Sequence, residues 1–371
     1  IMPRLVGSEM CIRDSKELKK NINIFENHKL NSMSKIIVTG GCGYIGSHTV
    51  IALINQGYIV VVFDDFSNAS EDTLDRIAKI TGIRPLFTRV DLKEKFKVLE
   101  AFNEHKEAKA VIHFAAYKAV KESINNPLDY YENNLFSLIN VLNAQQAVGI
   151  NNFIFSSSAT VYGTPESFPM TENSPVKRPF SPYGNTKKIA EEILEDYTNA
   201  NTKLSVISLR YFNPIGAHDS GHIGELPSGI PNNLMPYITQ TAAGLRDKLW
   251  VFGDDYPTKD GTAVRDYIHV VDLAEAHLAA LRYLMKNQQK ANYEIYNLGT
   301  GQGYSVLEVI KSFELTNDLR LNYEITNRRE GDVAVMYAST DLAKQVLGWS
   351  AKRDLKSMVA SAWKWEQNFR K

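Results

Sequence analysis

The chain has 371 residues, of which 44% are apolar and 23% charged, and its formal net charge is zero. This length can bury a large core in two lobes, and the balanced charge indicates no nucleic-acid partner and no membrane surface. No apolar run approaches the length of a membrane span. The two cysteines, Cys11 and Cys42, imply no disulfide framework, so a reducing, cytoplasmic location fits best.

Residues 1–32 differ from the rest of the chain because they are polar, irregular and begin with isoleucine. They have neither the apolar segment of a signal peptide nor the composition of a transit peptide. We expect a non-native segment here, with the native protein starting at Met33 or nearby. The alternative is a natural disordered extension.

From Lys35 onward, short apolar runs alternate with longer amphipathic ones. The apolar runs predict strands covered on both faces at Lys35–Thr39, Ile59–Phe63, Leu86–Val90, Ala110–Phe114, Phe153–Ser157 and Ser205–Arg210. The amphipathic segments predict helices at Tyr44–Gln56, Asp72–Ile80, Glu94–His105, Leu128–Ala147 and Tyr183–Asn199. This alternation predicts an α/β fold, a doubly wound parallel sheet with helices on both faces.

After Tyr211 the alternation stops and loop-rich segments follow. Helices are predicted at Met235–Gly244, Val271–Leu284 and Val306–Glu314, between short strands. We expect a first domain over 33–213 and a smaller α+β substrate lobe over 214–371 that closes over the open end of the sheet. The two are partly interleaved, because Tyr293–Leu298 is predicted to return to the main sheet as a seventh strand.

A glycine-rich turn follows the first predicted strand, with Gly40, Gly43 and Gly46 three residues apart. Glycine lets the backbone bend sharply and approach a phosphate, and the helix N-terminus behind it offers free N–H groups. The context of strand, turn and helix is typical of the pyrophosphate cradle of a Rossmann-type dinucleotide-binding domain. The alternative is a tight turn that serves only helix–strand packing.

Carboxylates and small residues end the next strands. Asp64 follows Gly43 by 21 residues, where a carboxylate binds the ribose hydroxyls and repels a ribose phosphate, which favours NAD over NADP. Asp91 can meet the adenine edge, and Phe114–Ala116 would let the backbone pass under the cofactor. Asn133, in the following helix, is either a cofactor contact or a side chain that pins two strand ends.

A serine, a tyrosine and a lysine form the candidate catalytic group. Ser158 directly follows the fifth predicted strand, and Tyr183 and Lys187 lie four apart on one helix face. An ammonium beside a phenol favours the phenolate, and Ser158 can hydrogen-bond the same substrate hydroxyl. The alternative for Tyr183 and Lys187, a solvated helix face, is disfavoured by the upstream serine and the glycine turn.

Nearly the whole chain after Met33 resembles the extended short-chain dehydrogenase/reductase family, in the branch that epimerises nucleotide sugars. The matching segments are Val38–His48, Phe155–Gly163, Leu209–Pro214, Gly229–Pro236, Arg265–Val270 and Arg328–Asp332. The resemblance implies a tightly held NAD and the interconversion of UDP-galactose and UDP-glucose, in galactose metabolism, through a transient 4-keto sugar. Tyr183 would take the proton of the fourth hydroxyl with help from Ser158, and Lys187 would hold the nicotinamide ribose and lower the pKa of Tyr183.

The spacing and the resemblance together give a set of cofactor-binding residues: Gly40, Gly43, Tyr44, Ile45, Gly46, Asp64, Asn68, Asp91, Leu92, Phe114, Ala115, Ala116, Lys118, Asn133, Ser158, Tyr183, Lys187 and Phe212.

Rotation of the keto sugar requires a grip on the nucleotide, which we expect in the smaller lobe. Arg265 and Arg329 suit the diphosphate, since guanidinium binds phosphate oxygens bidentately, and Asp332 suits the uridine ribose. The alternative for the two arginines is a surface ion pair. With the family match, the expected substrate-binding residues are Ser158, Thr160, Tyr183, Asn213, Asn233, Leu234, Trp250, Val251, Phe252, Arg265, Arg329 and Asp332.

Two positions leave alternatives open. Lys188 follows Lys187, so the spacing alone does not fix which ammonium faces the cofactor. Met336 stands where the family varies between tyrosine and a smaller residue, beside the second carbon of the sugar. Methionine is flexible and intermediate in size, so acceptance of N-acetylated sugars stays open.

The sequence supports other possible functions less well. A nucleotide-sugar dehydratase needs a carboxylate beside the serine, which Ser158-Ala159-Thr160 lacks, and a protein that only senses NAD needs neither Tyr183 nor Lys187. An epimerase of another UDP sugar is the hardest to exclude. His218 and His222 lie four apart, but without further ligands they are interpreted as loop residues, and no metal is expected.

A homodimer is expected on two grounds. The predicted helices Leu128–Ala147 and Tyr183–Asn199 carry apolar residues beyond one core face, which allows a four-helix contact between two copies. The resemblance also implies a homodimer. The alternative is that both helices pack only on their own sheet.

Overall fold

The computed structural model describes residues 34–227, 229, 231, 233–329 and 332–371. The interpretation of 1–32 as an extension therefore lies outside the described residues. Within the described ranges, no helix is long and apolar enough to cross a bilayer.

A seven-stranded sheet forms the centre of the molecule, and all of its strands are parallel. Its strands are β1 Lys35–Thr39, β2 Ile59–Asp64, β3 Leu86–Arg89, β4 Ala110–His113, β5 Asn152–Ser158, β6 Ser205–Tyr211 and β10 Tyr293–Leu298. The order is β10-β6-β5-β4-β1-β2-β3, so the direction of winding reverses between β1 and β4. Ligands bind at such a switch point, at the carboxyl ends of the strands.

Two apolar cores lie on the two faces of this sheet. Ile36 and Val38 of β1 belong to one core, and Ile37, between them, belongs to the other. Both faces of β1 are therefore covered, as its unbroken apolar run predicts. The helices are α1 Tyr44–Asn55, α2 Asp72–Thr81, α3 Lys95–Glu104, α4 Val120–Asn125, α5 Pro127–Tyr131, α6 Ser137–Val148, α7 Pro182–Ala200, α8 Leu234–Ala242, α9 Val270–Met285, α10 Val306–Asn317 and α11 Leu355–Arg370.

The smaller lobe contains two further sheets. Strands β7 Asn213–Ile215, β9 Val264–His269, β11 Gly303–Ser305 and β13 Val335–Met336 form one, and β8 Leu249–Phe252 pairs with β12 Tyr323–Thr326 in the other. The expected return of Tyr293–Leu298 to the main sheet is confirmed, because β10 pairs with β6 over its full length. The domain boundary at 213/214 stays a prediction.

The predicted single helix over Leu128–Ala147 is wrong in its interior. The chain forms α5, then a π-helical segment at Glu132–Phe136, and then α6. A π segment rotates the side chains that follow it relative to a continuous α-helix. The sequence pattern also missed α4 and the C-terminal helix α11.

A buried ion pair joins β6 to α7. The guanidinium of Arg210 donates from Nε to Glu191 Oε1 at 3.0 Å and from Nη2 to Glu191 Oε2 at 2.6 Å. The two side chains are 3% and 7% exposed, and the Ser157 hydroxyl of β5 donates to the same carboxylate. The Arg210 guanidinium also lies over the Tyr162 ring at 4.8 Å. One carboxylate thus connects β5, β6 and α7.

We predict that Glu191→Ala lowers the free energy of unfolding by about 3–5 kcal/mol, because it leaves the buried guanidinium of Arg210 without its counter-charge. Urea denaturation followed by circular dichroism measures the loss. The matched control is Glu192→Ala, since Glu192 is 56% exposed and pairs with Lys188 one turn before it. This control should change stability by less than about 0.5 kcal/mol. Equal effects of the two substitutions would contradict the prediction.

Candidate active site

The glycine turn between β1 and α1 packs too closely for side chains at two positions. Gly40 has φ +66°, and a Cβ there would lie 2.6 Å from Ala115 N, in the segment after β4. A Cβ at Gly46 would lie 2.2 Å from Gly40 O. Gly43, the N-cap of α1, has no side chain with which to accept from the helix N–H groups, and the first turn carries no acidic group. The turn therefore fits the pyrophosphate of a dinucleotide.

Asp64 ends β2 next to this turn. Its Oδ2 accepts from Cys42 N and its Oδ1 from Phe66 N, both at 3.0 Å. Burial raises the pKa of Asp64, and these backbone hydrogen bonds oppose the shift. The carboxylate thus holds the turn, and each oxygen keeps a lone pair with which to accept from a ribose hydroxyl.

Several of the other predicted cofactor residues follow the ends of β2, β3 and β4. Asn68 lies in the exposed loop after β2, and Leu92 is buried after β3. The carboxylate of Asp91 accepts from Lys93 N at 2.9 Å. Phe114 N donates to Thr39 O at 3.0 Å, which fixes the Phe114–Ala116 segment beside β1.

The first turn of α1 is also tied to the rest of the site. The Tyr44 hydroxyl donates to Gly216 O at 2.6 Å, and Lys118 Nζ lies 5.8 Å from the centre of the Tyr44 ring. Ile45 packs against the apolar core. Phe212, also predicted to bind the cofactor, is buried directly after β6.

Asn134, next to Asn133, joins the segment after β4 to α7. Asn134 Oδ1 accepts from Tyr117 N at 2.8 Å, and its Nδ2 donates to Tyr117 O at 3.1 Å and to Thr186 Oγ1 at 2.9 Å. Asn133 is half-buried and donates to Asn134 Oδ1 at 3.0 Å. Both lie in the π-helical segment, whose altered phase the sequence pattern did not reveal.

Ser158 and Tyr183 are brought together as predicted by their positions in the chain. Ser158 is the last residue of β5 and pairs in register with Tyr211 of β6. Tyr183 lies in the first turn of α7, near enough to Ser158 for the Ser158 hydroxyl to lower its pKa. Thr160 Oγ1 donates to Ser158 Oγ at 3.0 Å. The three side chains thus lie together at the carboxyl end of β5.

Lys187, and not Lys188, faces the interior. Its Nζ donates to Ser156 O at 2.6 Å and lies 4.8 Å from the centre of the Phe155 ring. Lys188 pairs at 2.6 Å with the exposed Glu192. Burial lowers the pKa of Lys187 to about 7, while the Glu191 carboxylate acts in the opposite direction.

The pKa of Tyr183 moves in the direction opposite to our expectation. Burial raises this pKa, and only the hydrogen bond with Ser158 lowers it. The expected lowering by Lys187 is therefore not produced by the chain alone. The cause is that the same burial that positions the two groups disfavours the charged form of each.

Two of the predicted substrate residues contact each other. Arg265 of β9 forms an ion pair through Nη2 with Asp332, and its Nη1 donates to Val264 O at 2.7 Å. Arg329 is exposed, whereas the adjacent Arg328 pairs with Asp255 at 2.6 Å. Of the two arginines for which an ion pair was the alternative, Arg265 therefore forms one, with Asp332.

The remaining substrate residues lie along the smaller lobe. Asn213 begins β7, and Asn233 precedes Leu234, the first residue of α8. In β8, Trp250 and Phe252 are exposed and Val251 is buried.

Met336 lies in β13 opposite Arg265 and packs against the apolar cluster that contains Ala159 and Phe212. It is thus close in the fold to the segment that carries Ser158 and Thr160.

Sequence reasoning missed Asp266 as a support of this lobe. Its buried carboxylate accepts from Thr300 N at 2.7 Å, from Gly301 N at 3.0 Å and from Ala338 N at 3.2 Å. These bonds fix the loop after β10 and the segment beside Met336. Only its place next to Arg265 could have indicated it, since its partners are distant in sequence.

The two histidines considered as a metal pair make loop contacts. His218 Nδ1 hydrogen-bonds to Ser220 Oγ at 2.9 Å, and His222 N donates to the same hydroxyl at 3.2 Å. Over the ranges that the structure covers, no group of three or more His, Cys, Asp or Glu side chains is placed to hold a metal ion.

Comparison with known proteins places this geometry in a family. A family model for GDP-mannose 4,6 dehydratase matches residues 37–362. The UDP-glucose 4-epimerase of Bacillus subtilis is 51% identical over 333 residues, which are 90% of this chain and 97% of that protein. The UDP-glucose 4-epimerase of Erwinia amylovora is 49% identical over 331 residues, or 89% of this chain and 97% of that protein.

Solved structures of UDP-glucose 4-epimerases also match this chain. The UDP-glucose 4-epimerase of Stenotrophomonas maltophila, with bound NAD and formylated UDP-arabinopyranose, superposes with a TM-score of 0.88 at 46% identity, covering 91% of this chain and 99% of that one. The Bifidobacterium longum enzyme, in complex with NAD⁺ and UDP, gives a TM-score of 0.86 at 44% identity, covering 90% and 98%. This chain therefore belongs to the UDP-glucose 4-epimerase family.

Proposed function

We propose that the protein is an NAD-dependent isomerase that interconverts UDP-galactose and UDP-glucose through a transient 4-keto sugar. The observation that carries the proposal is the placement of Ser158, at the end of β5, near Tyr183, in the first turn of α7, together with a glycine turn shaped for a dinucleotide. The names of the relatives support the same reaction. Inversion of an unactivated carbinol has no easy acid–base route, so a ketone intermediate needs a redox cofactor.

NAD fits the cofactor half better than NADP does. The Asp64 carboxylate beside the turn can accept from ribose hydroxyls but would repel a ribose phosphate. Gly40, Gly43 and Gly46 would carry the pyrophosphate, with Tyr44 and Lys118 beside it. When bound, NAD supplies a hydride acceptor and donor for carbon 4 of the sugar.

The chain itself handles the proton of the fourth hydroxyl. Tyr183 is the proposed base, and Ser158 hydrogen-bonds the same substrate oxygen and Tyr183. A free tyrosine titrates near about 10, so a base that works at neutral pH needs its pKa lowered by about 3 units, equivalent to about 4 kcal/mol. Burial raises the pKa of Tyr183, and the positive charges of Lys187 and of a bound nicotinamide ring would both oppose this shift.

The nucleotide is held apart from this chemistry. Arg265 and Arg329 are proposed to bind the diphosphate, and Asp332 the uridine ribose. The ion pair between Arg265 and Asp332 keeps both side chains in place before the ligand binds. A firm grip on the nucleotide leaves the keto sugar free to rotate and to present its other face.

We propose a cytoplasmic homodimer as the working form. The apolar side chains of Leu128, Phe136 and Ile139 are 78%, 54% and 41% exposed on the α5–α6 segment. This segment packs beside α7, so the two could form the four-helix contact that the sequence predicts. Burying these side chains against a second copy would remove an exposed apolar surface from water.

The direct test is conversion without added cofactor. We expect purified protein to convert UDP-galactose into UDP-glucose, because the NAD is held through the whole reaction and co-purifies. Proton NMR of the anomeric signals follows the conversion. Folded protein that gives no UDP-glucose even after NAD is added would overturn the proposed function.

We further expect Tyr183→Phe to lower kcat by about 10²–10⁴-fold, since it removes the proposed base and leaves the ring. Retention of NAD, measured by absorbance of the released cofactor, should be unchanged, as should UDP affinity measured by calorimetry. Lys188→Met serves as the control, because Lys188 faces the surface, and should turn over as the wild type does. A near-normal rate for Tyr183→Phe would exclude Tyr183 as the base.

A further inference from the structure

One carboxylate joins the cofactor side of the site to the substrate side. Glu225 Oε1 accepts from Lys118 Nζ at 3.0 Å and from Asn233 Nδ2 at 2.7 Å. Lys118 follows β4 and belongs to the predicted cofactor residues, whereas Asn233 directly precedes α8 in the smaller lobe and belongs to the predicted substrate residues. No role was assigned to Glu225 from the sequence.

The surroundings of Glu225 hold its carboxylate in place. The side chain is only 10% exposed, and the backbone oxygen accepts from Trp365 Nε1 of α11 at 3.0 Å. Lys118 in turn lies over the Tyr44 ring, and Tyr44 donates to Gly216 O. Burial raises the pKa of Tyr44, and the charge of Glu225 adds to this shift. Glu225 therefore acts on both the first turn of α1 and the start of α8.

We propose that Glu225 is a positioning residue that sets Lys118 and Asn233 relative to each other, so that the cofactor and substrate sides are aligned for nucleotide binding. This inference rests on the proposed function. A carboxylate can only accept, so it fixes the Asn233 amide with Nδ2 toward Glu225. The amide keeps a second hydrogen, and the Lys118 ammonium keeps two, for acceptor oxygens of a ligand.

The exposure of Lys118 argues against a purely structural role for its ion pair with Glu225. The Lys118 side chain is 46% exposed, and ion pairs with such exposed partners contribute little to stability. Its loss should therefore change ligand affinity more than it changes the melting temperature. That difference separates a positioning role from a folding role.

The first test compares Glu225→Ala and Glu225→Gln with wild type. We expect Glu225→Ala to raise KM for UDP-galactose about tenfold and to leave kcat within about twofold of the wild-type value. The rise in KM corresponds to the loss of one hydrogen bond to a charged group. Glu225→Gln keeps one acceptor oxygen, so its KM should rise about threefold. This variant conserves volume and decides the question if Glu225→Ala does not fold.

Glu275→Ala is the matched control. Glu275 also accepts from two cations, Lys352 at 3.1 Å and Arg353 at 3.3 Å, but contacts none of the predicted ligand residues. Its KM should equal that of the wild type. If the wild type is active and KM is unchanged in both Glu225 variants, only the inference about Glu225 is overturned. If the wild type is inactive, the proposed function is overturned and this inference with it.

A double-mutant cycle tests the connection itself. In the wild-type background, the effects of Lys118→Met and Asn233→Ala on UDP affinity, measured by calorimetry, should be non-additive, because both act through Glu225. In the Glu225→Ala background the same two effects should add. Additivity in both backgrounds would show that Glu225 does not couple the two side chains.

Discussion

The carboxylate of Glu191 holds together the three elements from which the catalytic group is built. It accepts from Ser157 of β5 and from Arg210 of β6, and it lies on α7 one turn after Lys187. Ser158 and Tyr183 owe their relative positions to this buried connection. A buried pair of this kind contributes little net stability, but removing one partner is costly. Its main consequence here is geometric, since it fixes one arrangement of strand and helix.

Burial fixes the positions of Tyr183 and Lys187, but it disfavours the charged form of each side chain. It raises the pKa of Tyr183 and lowers that of Lys187 to about 7, so both charged forms are disfavoured in the chain alone. The protein thus supplies position and the Lys187 ammonium, while a bound nicotinamide ring would supply the further positive charge that favours the phenolate. This division agrees with a reaction in which the base is needed only when cofactor and sugar are both in place.

Much of the fold could be predicted from local sequence. The alternation of apolar and amphipathic runs gives the parallel sheet, and the return of Tyr293–Leu298 to it, because both follow from burial on two faces. Gly40 and Gly46 could be identified because no other residue fits their backbone contacts. The proximity of Tyr183 and Lys187 to each other follows from their spacing of four residues on one helix.

The features that could not be predicted depend on partners distant in sequence. In the π-helical segment it is Asn134 that contacts Tyr117 and Thr186, and no periodicity marks this segment. The ion pair between Arg265 and Asp332 and the bridge through Glu225 join residues that are separate in the chain. The direction of the Tyr183 pKa shift was also missed, because desolvation depends on the packed surroundings rather than on the motif.

The central claim is that hydrogen leaves carbon 4 of the sugar and returns to its opposite face without exchange with water. UDP-galactose deuterated at carbon 4 tests this most directly, with the product examined by NMR and mass spectrometry. The account predicts UDP-glucose that retains the deuterium at carbon 4. UDP-glucose in which that position carries hydrogen from the solvent would contradict it.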